Sequence, residues 1–340
     1  MPRSLRPFAL VAGAFALTAW TTACTSDTAE AGAEASEGVA TTSSMAGDRI
    51  NPMIALHEAG QPVFGLYAPS PGGGPARGDQ PPPPVKTPEE RAQETLAYGS
   101  SDYVFDGSME RGVAEGLPVF TSFAQALQAQ GATTSSNPLV VKMAKITGAE
   151  QATNEVAMQL DAGASTIMFV EVESAEEARM GLDAMRYESN GGTRPDRVGT
   201  APAYWGLSDA EYREVADLWP LNPEGELLSW VIVESFEGLE NVREIAAVPG
   251  IGVLWPGAGT LRGLFTTENA DGERVFDEEG WEAAIQSVLD ACMEFDVPCG
   301  FPANASDIER RMDQGFSVFV MGWGDGGFET IDVGRAKSGR

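Results

Sequence analysis

From about residue 60 onward, short apolar runs rich in β-branched and aromatic residues alternate with longer amphipathic stretches rich in Ala, Glu and Leu. Short continuous apolar runs read as strands buried on both faces, and stretches with a 3.6-residue period read as helices packed over them. The pattern predicts eight strands, centred on Phe64, Val104, Val140, Met168, Val231, Val253, Gly300 and Val318. Helices are predicted over 149–160, 174–185, 277–295 and 305–314. Eight successive βα units point to an α/β fold of the (β/α)8 TIM barrel type over residues 49–340. A doubly wound open sheet is the alternative, but the Gly-rich turn and following acid of a dinucleotide site do not follow an early strand. The segment Tyr187 to Leu228 interrupts the alternation between strands four and five. Barrel loops at the C-terminal face carry function, so this insertion is expected to cover the site.

Two stretches depart from the alternation. Arg3 and Arg6 precede an apolar run from Phe8 to Trp20 and small residues up to Cys24, which reads as an export signal over 1–24. The run is short for a membrane span. Thr21-Thr22-Ala23-Cys24 has the form of a lipoprotein box, with Thr21 where Leu is usual, so a lipid on Cys24 or simple secretion to the periplasm is expected. Residues 25–48 hold almost no large apolar side chain and read as a flexible tether. Pro69 to Pro88, with its GGG and PPPP, reads as an extended loop.

Composition narrows the function. Fifty acidic against 22 basic residues give a net charge of −28, which repels phosphates and argues against nucleic acid as a partner. His57 is the sole histidine, so neither a His/Cys zinc site nor a Ser-His-Asp triad is easily built. It lies in a helical-looking segment and reads as a surface or packing residue. Cys292 and Cys299 can pair in an oxidising compartment or stand as two buried thiols.

In a barrel the chemistry gathers at the C-terminal ends of the strands. Strand two ends in Asp106, Glu110 and Arg111, strand three in Lys142, and strand four in Glu171. Strand five runs through WVIV into Glu234. A carboxylate closing so apolar a run requires a cation, either a metal ion or a salt bridge to Lys142 or Arg111. After strand six, Gly257, Ala258, Gly259 and Thr260 either leave amides free for an anion or form a tight structural turn.

Blocks at these strand ends, among them LDAGASTIMFVEVESAEEARMGLDAMRY, RPDRVGTAPAYWG, VIVESFEGLENVREIAAVPGIGVLWPGAGTLR and VPCGFPANASDIERRMDQGFSVFVMGWG, resemble the HpcH/HpaI aldolase and citrate lyase beta-subunit family. The resemblance runs from about Asn51 to the C-terminus. It implies a (β/α)8 barrel, a homo-oligomer joined through the last helix, and lyase chemistry on a 2-keto acid or acyl-CoA with Mg²⁺ or Mn²⁺. The metal-binding Glu of the family falls on Glu234. The Asp of its Gly-Pro-Ala-Asp motif falls on Gly259, its catalytic His on Arg111, and its strand-three Arg on Lys142. The Gln two residues before the metal Glu falls on Ile232. Glu110 is retained. An arginine stays protonated and cannot serve as the base. Glu171 is the candidate second metal ligand.

Two functions follow from this reading. One is a carbon–carbon lyase acting on a small keto acid through a metal-stabilised enolate, with Glu110, Arg111 and Lys142 around the substrate. The other is an altered barrel that captures a small carboxylate without turnover. Chemistry on a CoA thioester fits poorly with export.

Overall fold

The computed structural model describes residues 49–73 and 82–340. The export signal, Cys24 and the tether lie outside the described residues, as does part of the proline-rich loop. Eight strands carry the architecture: β1 (Val63–Tyr67), β2 (Tyr103–Asp106), β3 (Leu139–Lys142), β4 (Thr166–Phe169), β5 (Leu227–Val233), β6 (Val253–Pro256), β7 (Gly300–Pro302) and β8 (Val318–Met321). Each of the eight sequence positions read as a strand falls in one of them. All pairings among them are parallel, in the spatial order β7-β8-β1-β2-β3-β4-β5-β6. Between β6 and β7 the ladder is reduced to one parallel bridge, Leu254 to Cys299. The structure is thus an α/β fold built on a parallel half-barrel of strands.

Because side chains alternate along a strand, each strand feeds two cores. One face of the sheet sends Phe64, Val104, Val141, Ile167 and Leu254 under the surrounding helices. The other face gathers Tyr103, Phe105, Val140, Met168, Trp230 and Trp255, with Met53 and Ile54 of the first helix (Pro52–Glu58) packed among them. Large aromatics fill this second core. The Tyr103 ring stands edge-on to Trp230 at 5.1 Å, and Trp230 meets Trp255 at 5.0 Å. Truncating fully buried Trp230 to Ala should cost roughly 3–5 kcal/mol. Two glycines make room for these rings. A Cβ on Gly65 would lie 2.2 Å from the Tyr103 ring, and one on Gly300 would lie 2.2 Å from Trp255.

The helices begin where sequence chemistry starts them. Thr87 and Glu90 form a capping box at the helix Pro88–Ala97, Ser174 caps Ala175–Met185, and Asp277 caps Glu278–Glu294. The described parts of the proline-rich loop, 69–73 and 82–87, are irregular, as the sequence indicates.

The insertion does not cover the C-terminal face. Its two short helices, Ala201–Trp205 and Asp209–Val215, pack at the opposite end of the strands. Tyr204 donates to the Asn137 carbonyl at 2.8 Å just before β3, and the Trp205 indole donates to Gly163 just before β4. Leu218–Trp219 then pairs with Leu227–Leu228 at the start of β5. The physical reason lies in its composition: Tyr204, Trp205 and Tyr212 are buried, so this segment belongs to the core and is no solvated lid.

Candidate functional site

A cavity of about 220 Å³ opens at the C-terminal ends of the strands, lined by Tyr67, Phe105, Lys142, Glu234, Trp255 and the Pro256–Thr260 turn among others. Glu234 stands one residue past β5 and is only 6 % exposed. Three backbone features fix it there. The Glu171 N–H donates to Glu234 Oε1 at 3.2 Å, and Glu171 adopts a positive φ of 47° in doing so. The Gly257 N–H donates to the Val233 carbonyl at 2.8 Å, binding the end of β6 to the end of β5. Gly257 itself has no room for a side chain, because a Cβ would lie 2.2 Å from Glu234 Cβ.

Lys142, at the end of β3, supplies the cation lining this cavity. Its ammonium lies 2.7 Å from Glu110 Oε1. Burial opposes the charge on Lys142, but the hydrogen bond and charge of Glu110, with Glu234 and Tyr67 nearby, outweigh it and raise the pKa. Tyr67 closes β1 at the same mouth, and burial raises its phenol above the ordinary range. Among the described residues, the amides of Ala258, Gly259 and Thr260 have no backbone acceptor, as is usual for the first turn of a helix.

The sequence-derived candidates thus separate. Glu234, Lys142 and the 257–260 turn line one cavity, with Glu110 bridging to it through Lys142. Glu171 contributes its backbone; its carboxylate is half exposed and lies 3.7 Å from Lys145 Nζ, beside Glu173. Arg111 is exposed and lines neither this cavity nor its neighbour. Ile232 lines the wall where the resemblance places a Gln. Among the described residues no cluster of three or more His, Cys, Asp or Glu side chains could hold a metal ion. Gly259 leaves open space where a side chain would stand.

Two residues escaped the sequence reading. Tyr67 ends the first strand and obeys the same strand-end rule as the others. Arg91 gave no signal, being one polar residue in a polar helix. It is buried 3.6 Å from buried Asp106, donates from Nε to the Pro69 carbonyl at 2.7 Å and lies over the Phe123 ring.

Residues 97–324 match the sequence profile of the HpcH/HpaI aldolase/citrate lyase family. The chain belongs to that family. Its HpcH/HpaI-type relatives include a hydroxypyruvate/pyruvate aldolase of Paraburkholderia phytofirmans, 28 % identical over 167 residues that make up 48 % of this chain and 59 % of the relative. A 4-hydroxy-2-oxovalerate aldolase of Novosphingobium aromaticivorans is 30 % identical over 162 residues, 46 % of this chain and 53 % of that protein. The chain therefore spans little more than half the length of these relatives. The HpcH/HpaI aldolase structure from Desulfitobacterium hafniense superposes with a TM-score of 0.58 at 17 % identity, over 79 % of this chain and 90 % of that one. A family member from Burkholderia cenocepacia gives 0.57 at 21 %, over 77 % and 88 %. At these identities the structural likeness concerns the fold.

Proposed function

We propose that this HpcH/HpaI family member is a (β/α)8 barrel carbon–carbon lyase acting on a small 2-keto acid or hydroxy keto acid next to Glu234. Closure of the barrel is supported by the strand order and by the Leu254–Cys299 bridge where its two ends meet. The observation that carries the reaction is Lys142, whose ammonium lies in the Glu234 cavity against the half-exposed carboxylate of Glu110.

The divalent ion implied by the family would fall to Glu234. One buried carboxylate does not complete an ion's shell, and the Glu171 carboxylate is turned toward Lys145. The side chains as placed do not fit that ion, so the mechanism rests on the chain's own groups. Lys142 binds the keto acid's oxygens, displacing Glu110. In the cleavage direction Glu110 takes the proton of the substrate hydroxyl, and the bond between the hydroxyl-bearing carbon and C3 breaks. The electron pair moves onto the keto acid as an enolate, whose oxygen Lys142 stabilises. The proton held by Glu110 then returns to C3. The Glu234 carboxylate, fixed by the Glu171 amide, helps keep Lys142 charged.

Hydrogen–deuterium exchange of the pyruvate methyl group in deuterated buffer, measured both without and with Mn²⁺, tests this step. Wild-type protein should exchange, and Lys142→Ala should slow it by about 100-fold. Binding of pyruvate without exchange would instead establish the second reading, a carboxylate-binding barrel. That reading is favoured by exposed Arg111, which stands where the family has its base.

The same proposal places the domain outside the cytoplasm as a homo-oligomer, held to a membrane through a lipid on Cys24. The Cys292–Cys299 disulfide supports an oxidising compartment. Metabolic labelling with a radioactive fatty acid, lost in Cys24→Ala, is the expected result.

A further inference from the structure

A second, larger cavity of about 490 Å³ adjoins the Glu234 site, and the two share the side chains of Tyr67 and Phe105 as a common wall. Its own walls include Val119 and Trp323. Trp323 is held edge-on by Tyr98 and Phe328, at 6.3 and 5.2 Å between ring centroids, which makes it a fixed plane. The size and the aromatic walls suit a ring-sized fragment.

Charge decides what kind of fragment. Among the described residues the larger lobe has one basic side chain, Arg91, and its charge is already answered by Asp106 while Pro69 and Phe123 occupy its edge and face. Lys142 is paired with Glu110, which also lines the larger lobe and is 48 % exposed. When a substrate carboxylate takes Lys142, the Glu110 carboxylate is released at the mouth of the larger lobe as an uncompensated negative charge. A second substrate carboxylate would meet that charge and, among the described residues lining the lobe, no free cation.

We infer that the two cavities form one two-lobed site whose substrate is a 2-keto acid carrying an uncharged, aromatic-sized distal group, with Val119 and Trp323 setting that preference. The inference rests on the keto acid occupying the Glu234 lobe. Calorimetric binding of 2-oxo-4-phenylbutanoate, 2-oxoglutarate and pyruvate reads it without turnover. The phenyl compound should bind at least about ten-fold more tightly than 2-oxoglutarate. Val119→Trp, which fills the larger lobe from a half-exposed helical position, should abolish that advantage while leaving pyruvate affinity unchanged; Trp323→Ala should reduce it. Equal or tighter binding of 2-oxoglutarate, failure of 2-oxo-4-phenylbutanoate to bind, or a phenyl advantage untouched by Val119→Trp would overturn the inference. Pyruvate proton exchange is measured on the same samples. Its absence with the phenyl preference intact would sink the lyase reading alone, and its presence with no preference would sink the lobe assignment alone.

Discussion

Gly257 and Gly259 are two glycines of one turn with opposite meanings. At 257 a methyl group would collide with Glu234, so Gly257→Ala must displace that carboxylate. We expect a stability loss of about 1–3 kcal/mol from the overpacking, and proton exchange slowed about 100-fold by misplacement of the site. Denaturant titration and the exchange assay read the two effects separately. At 259 a new side chain meets nothing within 4 Å. Gly259→Asp should therefore fold normally and place a second carboxylate near Glu234, tightening Mn²⁺ binding at least about ten-fold by calorimetry. Unchanged affinity would show that Glu234 cannot be recruited as a ligand at all.

At the scale of elements, the insertion ties the N-terminal ends of the strands to the first helix twice: Glu226 accepts from the N–H of the helix cap Asn51 at 2.8 Å, and Trp219 stacks on His57 with ring centroids 5.7 Å apart. Burial pulls the His57 pKa down from 6.5 to about 4. A base depressed in the folded state gives stability that is present above its unfolded pKa and lost as pH falls from 6.5 through about 4, where only the unfolded chain binds the proton. Between pH 7 and 4 the wild type should lose about 3 kcal/mol more than His57→Phe, which keeps the stack without the titration. Equal losses in urea melts of both proteins would show that the imidazole stays hydrated. Elements of this kind were only partly legible beforehand. The eight strands declare themselves because each is apolar on both faces. The insertion departs from the cover that its sequence position suggests, because position in the chain says where a segment starts, and not toward which end of the sheet Tyr204, Trp205 and Tyr212 turn. In the site, Glu234 and Lys142 were visible as charges ending apolar runs. The roles of the Glu171 amide and of the Arg91–Asp106 pair depend on backbone angle and long-range packing, which leave no local pattern.

For the molecule as a whole, the seam between β6 and β7 is where the continuous sheet is thinnest, and Cys299 sits on it. It bridges to Leu254, while its carbonyl accepts the Ser317 and Val318 amides at the start of β8. The disulfide ties this residue to Cys292 on the helix that packs against β6. Oxidation therefore acts on the seam as a rivet on a lap joint, and the consequence is one of local breathing. Adding reductant should speed deuterium uptake at Leu254, whose amide donates to Pro298, and at Val318, while amides in β3 and β4 keep their protection. Uniform uptake across all strands would mean that the sheet opens as one unit. Localised uptake would make the thiol state of two residues, on the side away from the chemistry, the quantity that decides how often this seam opens.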